Sequence, residues 1–188
     1  MEILLDYLND RDITVNTLEG AAQCASILLS GDRYNHTLRV VDRARHLAEL
    51  NQLTDTDRDL LLQAAYLHDV GYSEVIKFCD YHPVDGFTYL RANSWSKDVQ
   101  LLTLHHTFSN TLAEMSRTDL TSEYRLNPLP YHLTHLFNLL TTADMTSDGK
   151  GNIVTIAERV KDVGERHGTD SIVYKHILTV QEYLNRLY

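Results

Sequence analysis

Cysteine is nearly absent from this chain: Cys24 and Cys79 are the only two among 188 residues. Two thiols cannot make the disulfide framework of a small secreted domain, so a reducing, cytoplasmic setting is expected. Each is read as a small apolar filler. Proline and glycine are also sparse, at three and eight residues, and strand-like alternation is almost missing, which argues against a turn-rich β fold. No run approaches the roughly 20 apolar residues that span a bilayer. The opening Met1-Glu2-Ile3-Leu4-Leu5-Asp6-Tyr7 lacks a basic start and carries acids in its apolar run, so no secretion signal is expected. Basic residues number 17 against 26 acidic ones, a net charge of −9, and they are scattered. That disfavours binding to a nucleic-acid backbone, which needs clustered Lys and Arg. An acidic protein can still bind a phosphate ester through intervening cations. No glycine-rich phosphate loop and no Ser-His-Asp order is present.

What is present is helical periodicity almost throughout. The expected fold is all-α, a single domain over 1–188 built as a bundle of seven to nine helices. The first is a short amphipathic helix over 1–9. The second covers 17–29 and is stopped by Gly31. Asp32 is placed to cap the third, over 33–51. Thr54 caps a fourth that runs to Asp69, with Leu61, Ala64, Ala65 and His68 on its inward stripe. Gly71 then supplies freedom for a turn. Pro83 suits the first turn of a helix opened by His82. The next helix covers 97–108, and a polar connection with Pro128 and Pro130 leads to one over 131–145. Thr155 and Glu158 form a capping box for another, and a last amphipathic helix covers 171–187.

Chemistry concentrates in a few polar residues on apolar stripes. His68 and Asp69 end the fourth helix within Ala65-Tyr66-Leu67-His68-Asp69-Val70-Gly71-Tyr72. His36 shares a face with Val40, Ala44 and Leu47. His106 shares one with Val99 and Leu102, and Asp144 one with Leu133, Phe137 and Leu140. A polar group on an inward face needs a partner, and one metal centre would satisfy these together. Imidazole nitrogen suits Fe, Mn, Zn, Ni and Co, while carboxylate oxygen keeps Mn, Fe or Mg in play. His46, His132, His135, His167 and His176 are read as ordinary core or surface residues. His105, about 100° around the helix from His106, is assigned to the surroundings of the centre. Lys77, Asp85, Asp148 and Arg159 are candidate cleft residues.

The order His36, His68-Asp69, His82, His106, Asp144 resembles the HD-domain superfamily of metal-dependent phosphohydrolases, over roughly 33–166. His36, His68, Asp69 and Asp144 are similar to that family's four defining ligands. His82, in His82-Pro83-Val84-Asp85-Gly86, and His106 look like the two extra ligands of two-metal members. Arg33 three residues before His36, the two motifs around His68 and His82, and Ala143-Asp144-Met145-Thr146 followed by Val154-Thr155-Ile156-Ala157-Glu158-Arg159 resemble stand-alone bacterial HD proteins. The chain lacks the Gly-Tyr-Pro triplet of the cyclic-di-GMP phosphodiesterases and carries Tyr72 where they have lysine. It matches the diadenosine tetraphosphate hydrolases only in part.

The resemblance implies one or two divalent ions per chain (Fe, Mn, Ni, Co, Zn or Mg) and hydrolysis of a small phosphorylated substrate such as a nucleotide. His36, His68, Asp69 and Asp144 would hold the first ion, and His82, His106 and a bridging Asp69 the second. Asp69 would also orient the attacking water, and Arg33 would bind phosphate. A nucleotide-binding sensor without catalysis, and a di-iron oxygenase on the same scaffold, are the other functions this pattern admits.

Overall fold

The computed structural model describes residues 13–148 and 150–187, so the helix expected over 1–9 lies outside the described residues. Nine helices of eight residues or more appear, with no strand among the described residues. In chain order, with one shorter helix (α7) included, the α-helices are α1 (Leu18–Leu28), α2 (Gly31–Leu50), α3 (Asp55–Leu67), α4 (His82–Ala92), α5 (Lys97–His105), α6 (Ser109–Ser116), the six-residue α7 (Thr121–Leu126), α8 (Thr134–Met145), α9 (Ile156–His167) and α10 (Ile172–Leu187).

Local chemistry starts most of these helices where the sequence places them. Thr17 accepts the Gly20 N–H at 3.0 Å and Thr54 the Asp57 N–H at 3.1 Å. Thr155 and Glu158 complete a reciprocal capping box, satisfying two N–H groups that a helix start leaves open. Asp32 does not cap α2. Ser30 holds that position and the helix begins at Gly31. The long α2 packs its face of His36, Val40, Val41, Ala44 and Leu47 against α3 and α8. The main core joins these three helices to Phe87 of α4 and Leu101, Leu102 and Leu104 of α5. A second cluster gathers Ala21, Cys24 and Leu28 of α1 around Leu67 and Trp95. A third packs α9 and α10, through Val160, Val163, Ile177, Val180 and Leu184, onto Met145 at the end of α8.

Three departures from expectation bear on the site. The polar connection after residue 108 folds into α6 and α7, whose buried residues are only Ser109 and Ala113, and Tyr124. That is too thin an apolar stripe to read. The helix expected over 97–108 stops at His105, because Thr107 and Phe108 take left-handed backbone at φ 50° and 56°. Gly71 is needed for closeness rather than for an unusual φ: a Cβ there would lie 1.9 Å from the His82 carbonyl oxygen and 2.6 Å from the Gly86 nitrogen.

Candidate metal centre

The fold brings all six expected ligands into one cluster at the meeting of α2, α3, α4, α5 and α8. His36 projects from the first turns of α2, and His68 and Asp69 terminate α3. His82 opens α4 against the 3₁₀ turn Val70–Tyr72. His106 stands where α5 breaks, and Asp144 lies at the end of α8. All but His82 are buried.

Asp69 is the centre of the arrangement. Its Oδ2 lies 3.7 Å from His36 Nε2 and 3.4 Å from His68 Nε2. Its Oδ1 lies 3.6 Å from His82 Nε2 and 3.8 Å from His106 Nε2. One carboxylate thus faces two pairs of imidazoles, one pair per oxygen. In each trio, His36-His68-Asp69 and Asp69-His82-His106, the donor atoms all lie within 4.8 Å of one another. Asp144 joins the first trio through His36: its Oδ1 is 3.1 Å from His36 Nε2. Its Oδ2 accepts a hydrogen bond from the Thr107 hydroxyl.

The imidazoles are oriented from behind. Nδ1 of His36 lies 2.8 Å from the Asp148 carbonyl oxygen, that of His68 2.8 Å from Ala65, and that of His106 2.6 Å from Thr103. A carbonyl only accepts, so each Nδ1 carries a proton and each Nε2 faces the centre, with a lone pair to offer in the neutral ring. Fixing the tautomer this way is how metal-binding histidines are held. His68 Nε2 is fully buried and has no hydrogen bond of its own, a cost that a cation would remove. The His82 and His106 Nε2 atoms face each other at 3.2 Å, a chelate of two nitrogens beside Asp69 Oδ1. The residues present therefore fit divalent metal binding.

The charges agree with that fit at Asp69, Asp144, His82 and His106, and run against it at His68, which must lose a proton to ligate. Burial alone would raise the Asp69 carboxyl, but the neighbouring His68 and Arg33 charges hold it well below the usual carboxylate range. Asp144 is held low against the same burial by its bond to His36. Burial pushes His82 and His106 down, toward the neutral form that ligates. His68 is raised: the Asp69 carboxylate outweighs burial there.

Around this core, Arg33 donates to Asp69 Oδ2 at 2.6 Å. Its guanidinium lies 4.0 Å over the Tyr72 ring. Tyr72 in turn stacks on His82, at 3.9 Å and 15°. Tyr72 itself is 44% exposed, so this stack forms the outer edge of the centre. Arg159 reaches within 4.0 Å of Asp144 Oδ1. Asp148 contributes its backbone carbonyl rather than its carboxylate. Asp85 is occupied by the N–H groups of Phe78, Cys79 and Tyr81 and shapes the loop before α4. Lys77 is paired with Glu74 and Asp80. His105 turns away, with Nε2–H donating to the Asn127 carbonyl at 2.8 Å. Sequence reasoning missed Thr107, and His176, read as an ordinary core or surface residue, is a buried core histidine behind it. His176 Nε2–H donates to the Thr107 carbonyl at 2.9 Å, tying α10 to the residue that holds Asp144. Nothing local marks either role.

A helical scaffold that sets four imidazoles around one carboxylate, with a second carboxylate beside them, defines a class of metal-binding α proteins. The chain belongs to the HD domain family, whose profile matches residues 33–132. The matched stretch contains Arg33, His36, His68, Asp69, His82 and His106, while Asp144 lies beyond it. No curated protein and no solved structure matches the chain. Among the described residues no helix is long and apolar enough to cross a membrane.

Proposed function

We propose that this protein is a metal-dependent phosphohydrolase acting on a small phosphorylated molecule, with nucleotides the first candidates, and that residues 1–188 form one cytoplasmic domain. The observation that carries this is the placement of Asp69, with each oxygen facing its own pair of imidazole nitrogens. His36, His68, Asp69 and Asp144 would hold one divalent ion, and His82 and His106, sharing Asp69, a second. Such ions supply Lewis acidity: they lower the pKa of water, polarise the phosphoryl group and stabilise the leaving oxygen.

The chain's own residues do the rest. Arg33 binds a phosphate oxygen by a charge-assisted bond, leaving its present partner Asp69 as it does so. Asp69 accepts a hydrogen bond from the attacking water and aims it at phosphorus. Tyr72, clamped between Arg33 and His82, keeps the guanidinium at the mouth of the centre. No thiol competes as nucleophile: burial pushes both Cys24 and Cys79 up to about 11, so neither is a ready thiolate.

The test is a screen of nucleotides and phosphomonoesters with added Mn, Co, Ni or Mg, using wild type and Asp69→Ala. Hydrolysis should need the metal and vanish in Asp69→Ala, and heavy-oxygen water should label the released phosphate in one step. Trapping a phosphorylated protein would overturn the mechanism. Nucleotide binding without turnover would leave a sensor, and metal-dependent oxygen uptake with reduced iron would leave an oxygenase.

A further inference from the structure

We propose that the centre is built for a terminal phosphate, as in a phosphomonoester or a polyphosphate, gripped by Arg33 and Arg159 together in preference to an internal phosphodiester. The inference rests on the phosphohydrolase reading and names a substrate class for it.

The two guanidiniums approach the centre from different helices, one beside each carboxylate. Arg33, from α2, lies 2.6 Å from Asp69. Arg159, from α9, lies 4.0 Å from Asp144, with its side chain only 12% exposed. Its Nη1 is bonded to Asp162 at 3.2 Å, but its Nε is buried with no acceptor. Asp162 is shared with Arg166 at 2.7 Å and faces outward. The guanidinium is presented to the centre by its Nη2, beside Asp144, and that edge is the one offered to an anion.

Charge points the same way. Asp69 and Asp144 are balanced by Arg33 and Arg159, and imidazoles that ligate are neutral. Each divalent ion then adds two positive charges with nothing in the chain to offset them. A phosphodiester brings a single negative charge and two free oxygens. A terminal phosphate brings nearly two charges and three free oxygens, enough to meet a metal ion and both arginines at once. A diester has only two free oxygens to divide among a metal ion and two guanidiniums, so at least one oxygen must be shared.

The experiment is calorimetric titration of inorganic phosphate and of dimethyl phosphate into Mn-loaded protein at about pH 8, where orthophosphate is a dianion. Wild type, Arg33→Gln, Arg159→Gln and Arg159→Lys are compared, with Mn content and melting curves showing that each is folded and loaded. Wild type should prefer orthophosphate by about tenfold or more. Arg159→Gln should weaken orthophosphate about tenfold while moving dimethyl phosphate little, and Arg159→Lys should recover part of the loss. Arg33→Gln should weaken both ligands. Equal wild-type affinity for the two ligands, or unchanged orthophosphate affinity in Arg159→Gln, overturns the proposal. Should Arg159→Gln not fold, the wild-type preference and the Lys variant decide. Because binding needs no turnover, the two readings fail separately. Selective phosphate binding without any hydrolysis overturns only the phosphohydrolase reading. Faster cleavage of bis(p-nitrophenyl) phosphate than of p-nitrophenyl phosphate overturns only the terminal-phosphate inference.

Discussion

The two halves of the centre share Asp69 and are otherwise built on different principles. His36 and His68 sit within or at the end of long helices and are fully enclosed. His82 and His106 stand at breaks between elements, and the His82 side chain is 19% exposed against 4% for His106. Regular helices fix the first pair. The second depends on two tight features of the chain, the Gly71 approach to His82 and the left-handed turn at Thr107. A donor set on rigid elements is pre-organised and binds more tightly than one that must be held by loops. The first half should therefore hold its ion firmly, and the second should exchange it.

The largest test removes what the halves share. Asp69→Ala should empty both positions and abolish hydrolysis while the helices stay folded, as metal content and circular dichroism would show. Retained activity would dissolve the comparison altogether. Next comes Gly71→Ala. A Cβ 1.9 Å from the His82 carbonyl forces α4 away, at a cost of about 3 kcal/mol, or roughly 10 °C in melting temperature. Because His82 moves with that backbone, the exchangeable ion should be lost before the firm one.

A smaller effect sharpens the other side. Thr107→Val keeps the shape of the left-handed residue but removes its bond to Asp144. Ion retention in the first half should weaken about tenfold, read as a lower chelator concentration for half-removal. Bound metal stabilises only the folded state, so the melting-temperature gain from Mn should shrink with it. The smallest effect lies behind Thr107, at His176. Burial lowers the His176 pKa in the folded protein. The unfolded chain takes up a proton there below about pH 6.5 and the folded chain does not, so stability is lost as pH falls below that value. Urea midpoints of metal-free protein should show that slope, and His176→Gln should flatten it by part of one proton.

The same contrast explains what could be read from the sequence. The first half was legible because a helix prints its inward face at a fixed period. His36 falls in register with Val40 and Ala44, His68 with Ala64 and Ala65, and Asp144 with Leu140. The caps at Thr54 and Thr155 were legible because their chemistry is local. His82 was visible through the proline beside it. His106 could be chosen over His105 only because Val99 and Leu102 share its stripe. The supports were hidden. The Thr107–Asp144 and His176–Thr107 bonds join residues 37 and 69 positions apart, and no periodicity encodes such a pairing. Arg159 was legible only as a candidate cleft residue; its approach to Asp144 depends on α9 packing against Met145 at the end of α8. The two short helices after residue 108 bury too little to leave a pattern.

Elemental analysis of protein purified without chelator, then supplied with Mn or Fe, tests the sharing of Asp69 most directly. The account predicts about two ions per chain in wild type and in His105→Ala, about one in His82→Ala and in His106→Ala, and none in Asp69→Ala. A single ion that survives unchanged in both His82→Ala and His106→Ala would contradict it, as would less than about 0.2 equivalents of any transition metal in wild type.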